Sequence, residues 1–280
     1  MHIALLTYGT RGDVQPLIAL GLGLQRRGHS VNLAAPAAYA ALVRSYGLAC
    51  TPLAGDPGPL TQDLVDRAGH NPLRIFKTIW DFVLAAAPEV ISGMRRACQG
   101  ADLIVHTFLM TTGGHTLARE LGVPDVSALF FPVFSPTTEF PPPSFPELPG
   151  RFFNKLSHRL VERLFWHGSS LGYRLIKHRS PEFPPRLWWP FAGSALRQTP
   201  RLYAISPSVL PRPADWGAGS HLTGYWFLDE PQPWQPPAAL REFLEAGPPP
   251  VGVSFGSVQS GQAERFYAPV LHALRQTGQR

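Results

Sequence analysis

Cysteine is nearly absent: Cys50 and Cys98 are the only two in 280 residues, and they stand far apart. Neither a disulfide framework nor a cysteine metal cluster can be built from them, so both read as buried small apolar residues. Lysine is as scarce, with Lys77, Lys155 and Lys177 the only three among 25 basic residues, so arginine carries the net charge of +6. Guanidinium groups suit phosphates and carboxylates, but the excess is too small to choose a partner. No apolar run approaches the roughly 18 residues needed to cross a bilayer, and the start Met1-His2 lacks the basic opening of a signal peptide. The expected location is the cytoplasm, with the inner face of a membrane as a peripheral station. No Walker A sequence occurs, and Gly21-Leu22-Gly23 falls inside a helix pattern, which rules out the dinucleotide fingerprint. His106 and His115 fit no compact metal motif, so no metal site is expected. Arg11-Gly12-Asp13 spells a cell-adhesion tripeptide that arises readily by chance and here lacks a secretory signal.

What is present is a globular chain, 44% hydrophobic and 16% charged, which excludes a disordered chain or a coiled coil. Ile3 to Tyr8 is a continuous apolar run of strand length, followed by a Gly-bounded loop and a helix pattern on Leu17, Leu20 and Leu24. Gly28 stops that helix, and Val31 to Ala35 reads as a second strand. This order is a βαβ unit with a parallel sheet. Pro16 suits a first helical position, and Asp13 then stands just before the helix. Further strands are expected at Leu48–Leu53, Asp102–Thr107, Val126–Phe130, Leu202–Ser206 and Leu222–Phe227. Helices are expected at Ala37–Tyr46, from the spacing of Leu73, Phe76, Ile79 or Trp80, Val83 and Leu84 onward to Ala97 with a kink or restart at Pro88, and at Thr112–Leu121. The 31 prolines gather in loops, and Phe131–Pro149 is read as ordered but irregular.

Arg151–Arg179 holds seven Lys/Arg and one acid, Glu162. Phe153, Leu156, Leu160 and Leu164 form one apolar stripe along it, either facing the core or lying on a membrane surface. His158, His167 and His178 read as its solvated face. The densest basic run lies on this one helix rather than interleaved with aromatics on a sheet face, which argues against nucleic acid. The domain reading is 1–228, a proline-rich linker at 229–248, and the opening of a second α/β domain at 249–280, with a buried strand at Val251–Phe255. That last stretch is too short to bury a core by itself.

In open α/β sheets ligands bind at the carboxyl ends of strands, which singles out Gly9-Thr10-Arg11-Gly12-Asp13-Val14-Gln15-Pro16. Asp13 is either a helix cap or a catalytic carboxylate on spacing alone. Gly12 permits close approach, and Arg11 suits a diphosphate. Aromatic residues on strand-leaving loops, Phe108, Phe130, Phe131 and Phe134 among them, are core or the lining of an apolar cleft.

Gly9 through Leu24 resembles the opening of the sterol 3-β-glucosyltransferase group of UDP-glycosyltransferases, whose amino-terminal domain is that of glycosyltransferase family 28. Gly55-Asp56-Pro57, Gly114 through Pro124, Ser135 through Pro141, Ser206 through Trp216, His221 through Phe227 and Val253 through Ser257 are similar to successive segments of that group. The resemblance implies an α/β fold of GT-B type, with an amino-terminal acceptor domain and a Rossmann-like second domain for the nucleotide sugar. It implies inverting transfer of a hexose, usually glucose from UDP-glucose, to a sterol or other lipid hydroxyl, with the nucleotide sugar as co-substrate and neither metal nor cofactor. Asp13 matches the general base. Thr10, Arg11, Gly12, Gly256 and Ser257 match the donor-phosphate positions, and Phe108, His115, Phe131 and Glu139 match the acceptor side. The donor signature of the group, a His- and Gly-rich segment followed by Asp-Gln, would lie beyond position 280. The chain is therefore expected to act as the acceptor half of a transferase, or as a helper needing a separate donor-domain chain.

Overall fold

A computed structural model describes residues 1–58, 72–143, 145–146, 150–191, 199–230, 234–254 and 263–280. Two compact units emerge: Met1–Asp56 with Trp80–Leu228, and Pro57–Ile79 with Asp229–Arg280. The first holds a seven-stranded sheet of β1 (His2–Leu6), β2 (Ser30–Pro36), β3 (Ala49–Leu53), β4 (Leu103–His106), β5 (Asp125–Leu129), β6 (Arg201–Tyr203) and β7 (Ser220–Leu222). Its order is β3-β2-β1-β4-β5-β6-β7 with every pairing parallel. The α/β parallel reading stands.

Side-chain alternation along β1 builds the core on both faces of the sheet. Ile3 and Leu5 join Val31, Leu33 and Val105 beneath α1 (Arg11–Arg26) and α2 (Ala40–Ser45). Ala4 and Leu6 join Ala34, Ile104, Met94 and Leu117 beneath α3 (Pro72–Ala97) and α4 (Thr111–Leu121). A third cluster around Phe134, Tyr203 and Trp216 packs against α5 (Arg151–Ile176). Gly122 ends α4 at φ 71°, a left-handed cap that glycine accepts without strain.

Several expectations are corrected. Helix α1 starts at Arg11, so Asp13 lies within its first turn and Pro16 inside it; the cap geometry at Thr10 starts the helix before the proline does. Helix α3 runs unbroken past Pro88. Strand β7 ends at Leu222, opposite Tyr203 where its partner β6 ends, and Gly224 turns the chain at φ 76°. Cys98 is buried, but Cys50, on edge strand β3, is only half-buried.

Helix α5 turns the stripe named above away from the core, against the first of the two alternatives left open for it. Phe153, Leu156, Leu160 and Leu164 are 47%, 48%, 46% and 57% exposed. The face that packs inward carries His158, Glu162, Gly172 and Ile176, all buried. Seating on a wall already filled by Phe108, Phe131 and Phe134 selects this side, where Val161 and Phe165 interlock with those rings. His158 is thus no solvated residue: it is buried and its Nε2 lies 3.1 Å from the Phe140 carbonyl oxygen.

The second unit contains α6 (Ala238–Glu245) and α7 (Ala263–Gln276). No residue of α6 is buried. The expected strand at Val251–Phe255 is not formed over Val251–Ser254, where Val251 and Val253 stand 47% and 40% exposed. Phe255 lies outside the described residues, and no strand is available among the described residues of this unit to pair with the segment.

Leu5 is fully buried at the centre of the sheet, so Leu5→Ala is expected to lower the unfolding free energy by about 3 kcal/mol. Urea denaturation at constant m-value measures this.

Candidate active site

The strand order reverses direction between β1 and β4, so the crevice at their carboxyl ends is the topological switch point where open sheets bind ligands. The loop after β1 and the turn after β4 meet there. Thr107 donates its hydroxyl to the Thr7 hydroxyl at 3.3 Å, and Thr7 donates to the Asp13 carbonyl at 3.1 Å. Phe108 follows directly and opens the 3-10 turn Phe108–Met110.

The β1 loop is built around the Asp13 carboxylate. Its Oδ2 accepts the Thr10 backbone N–H at 2.8 Å, one half of a capping box whose other half pairs the Thr10 side chain with the Asp13 amide. Gly9 sits at φ 149°, and a Cβ added there would lie 2.1 Å from Asp13 Oδ2. The carboxylate occupies the place a side chain at position 9 would take, which is why this position requires glycine. Burial raises the Asp13 pKa from its ordinary value, opposed by the hydrogen bonds from Thr10. A carboxylate so held is more basic than a solvated one. Arg11 is exposed and directs Nε to Gln15 Oε1 at 2.9 Å.

The other sequence candidates part company. Phe108 and Phe131 do meet, with ring centroids 5.0 Å apart, in an aromatic cluster that also takes in Phe134 and Phe165. Phe134 is buried at φ 63°, a strained conformation for an aromatic residue, and lies 4.4 Å from Phe191. His115 instead turns into the fold, its Nδ1 3.0 Å from Asp125 Oδ2. Glu139 staples two loops by accepting the Ala214 N–H at 2.7 Å, beside Asp215, which accepts from the Thr137 hydroxyl and the Thr138 amide. Gly256 and Ser257 lie outside the described residues.

Two features escaped the sequence reading. His106 Nε2, His115 Nδ1 and the Thr199 hydroxyl converge on the single oxygen Asp125 Oδ2 at 2.9, 3.0 and 3.1 Å. Burial would raise the Asp125 pKa, but the hydrogen bonds and charges of the two histidines prevail and hold it well below the carboxylate range. Gly114 packs on the His106 ring, where a Cβ would lie 2.7 Å from that of His106. A charged residue opening an otherwise apolar strand was the available signal. Among the described residues no group of three or more His, Cys, Asp or Glu side chains is placed to hold a metal ion.

The second is Glu162, buried under α5, whose acid is pushed up to about 7 by burial against the opposing pull of Arg201 and Arg159. It is the one acid of a basic helix, at inward spacing from His158. A shallow groove lined by Leu20, Leu24, Arg27, Tyr225, Trp226 and Phe227 lies farther along α1, with no contribution from Asp13.

The calicheamicin glycosyltransferase superposes with a TM-score of 0.52 at 17% identity, covering 84% of this chain and 55% of its own. The kitacinnamycin glycotransferase superposes with a TM-score of 0.57 at 17% identity, over 98% of this chain and 63% of that one. The fold is that of the GT-B glycosyltransferases. Residues 3–111, from β1 to the start of α4, match the glycosyltransferase family 28 N-terminal domain. The chain is 39% identical to O-mycaminosyltylonolide 6-deoxyallosyltransferase of Streptomyces fradiae, over 92% of its length and 61% of the relative's. It is 33% identical to the sterol 3-beta-glucosyltransferase of Candida albicans, over 98% of its length and 18% of the relative's. The Arabidopsis thaliana sterol 3-beta-glucosyltransferase is 32% identical over the whole chain, which spans 45% of it. The chain thus covers less than two thirds of each of these relatives.

Two expected outcomes follow. Gly9→Ala must expel the Asp13 carboxylate and strain the backbone, lowering stability by about 2 kcal/mol, measurable by chemical denaturation. Glu162 holds its proton more tightly folded than unfolded, so the stability it lends is full below its ordinary 4.5 and declines as pH rises towards about 7. In Glu162→Gln, the melting temperature relative to wild type rises across that interval and levels off above it. A difference independent of pH would contradict the assignment.

Proposed function

We propose that residues 1–228 bind the acceptor in an inverting transfer of a hexose from a nucleotide sugar to a hydroxyl of a large apolar molecule. Residues 229–248 serve as linker, and the stretch from 249 opens the nucleotide-sugar domain. The observation that carries this reading is the half-buried Asp13 carboxylate, fixed by Thr10 and Gly9 at the β1/β4 switch point beside Thr107 and Phe108.

Asp13 accepts the proton of the acceptor hydroxyl as its oxygen attacks the anomeric carbon. The bond from that carbon to the diphosphate breaks on the opposite side, and the released diphosphate carries away the electron pair. Raising the basicity of the carboxylate by burial favours the proton transfer. The amino end of α1, with Thr10, Arg11 and Gly12, provides positive potential towards the leaving phosphates, and Gly256 and Ser257 join them in this proposal. No metal enters the step as proposed.

The names of the relatives support an apolar polycyclic or macrolide acceptor and a hexose donor. Phe108 and Phe131 stand on the acceptor side of Asp13, at the ends of β4 and β5. His115 and Glu139 act by shaping the walls, through Asp125 and Ala214.

In a protein carrying this domain together with its nucleotide-sugar domain, Asp13→Asn is expected to lower kcat roughly 100- to 10,000-fold while acceptor affinity stays within about threefold. Unchanged turnover would remove the base role, and lost acceptor binding would make Asp13 structural.

A further inference from the structure

Helix α5 has two apolar faces, and only one is used by the fold. The inner face interlocks with the aromatic cluster through Val161 and Phe165. On the outer face, Phe152, Leu156, Leu160, Leu164, Leu171 and Leu175 stand between 46% and 72% exposed. At 100° per residue these side chains occupy one continuous arc along about 36 Å of helix. Isolated exposed leucines are ordinary, but an aligned row of this length is a binding surface.

Charge identifies what covers it. Arg159, Arg163 and Arg174 are exposed and fall on or beside the same arc, and Arg151, Lys177 and Arg179 stand exposed at the two ends. The single acid of the helix, Glu162, is buried on the inner side. The outer face therefore presents hydrocarbon interleaved with cations and no carboxylate of its own. Among the described residues no helix is long and apolar enough to cross a membrane, so the arrangement suits a helix lying in the plane of a lipid interface.

We propose that the outer face of α5 docks this protein onto an anionic lipid surface, with the phenylalanine and leucine side chains entering the acyl boundary and the arginines pairing with lipid phosphates and carboxylates. The docking is independent of the acceptor reading, since a bare lipid surface offers neither acceptor nor sugar donor.

The test is sedimentation of the full chain with sucrose-loaded vesicles of phosphatidylcholine, with and without about 30 mol% phosphatidylserine, at about 50 and about 500 mM salt. The expected result is binding to the serine-containing vesicles at low salt, weakened roughly tenfold or more by high salt or by Arg163→Gln with Arg174→Gln. Leu160→Ser with Leu164→Ser, which alters only exposed positions, is expected to weaken it by a similar factor while leaving the circular dichroism unchanged. Absence of binding at low salt overturns the proposal, as does binding that neither double variant affects. A concentration-dependent dimer abolished by the leucine variant, without vesicle binding, would also overturn it by assigning the face to a second copy of the chain.

Discussion

The geometry at the carboxyl end of β1 depends on the placement of one carboxylate. Asp13 caps its own helix through the Thr10 amide and fills the space over Gly9, so two requirements of the loop are met by a single side chain. Its main-chain carbonyl is tied through Thr7 to Thr107 on β4. The two strands that flank the topological switch point are thereby joined to the helix amino end by a short polar chain beside a densely apolar core. A cap adds about 1 kcal/mol to a helix; here the same contacts also fix the direction of a half-buried, raised-pKa acid. Structural and chemical roles are combined in one residue, and neither excludes the other.

Around this point the molecule is stiffened by buried polar groups that are paired within the fold. Asp125 gathers His106, His115 and Thr199 between the sheet and α4. The Tyr203 hydroxyl donates to the Val133 carbonyl and lies 2.6 Å from Ser135 Oγ, holding the proline-rich loop against β6. Asp215 and Glu139 fasten the same loop to the 206–216 segment. These anchors explain how a segment rich in proline stays ordered without strands, and how Phe134 is kept at a positive φ. Rings held by such a frame form a preorganised wall, and rigidity of this kind suits a large, flat apolar ligand.

The parallel α/β architecture was legible in the sequence because strands buried on both faces read as apolar runs, and the glycines at 9, 28 and 122 punctuate them. The β1 loop and its acidic residue were legible for the same reason. Sheet order was not, since pairing between β1 and β4 is a long-range choice that local pattern does not encode. Nor was the seating of α5: the sequence shows one clear apolar stripe, whereas the side that packs inward is interrupted by His158 and Glu162, and only the aromatic wall it meets decides which is buried. His106, His115 and Asp125 come from two strands and a helix, so their convergence is invisible to spacing. Glu162 was visible as the lone acid of a basic helix, but its burial follows from the same seating.

The most direct measurement of the central claim is photolabelling of the full chain with a diazirine-bearing sterol, followed by peptide mapping in the presence and absence of excess unlabelled sterol. The account predicts competable labelling around Gly9–Gln15, Thr107–Met110 and Phe130–Phe134, the walls of the β1/β4 crevice. Competable labelling confined to the groove at Tyr225–Phe227, or to the outer face of α5, would contradict it by placing the acceptor away from Asp13.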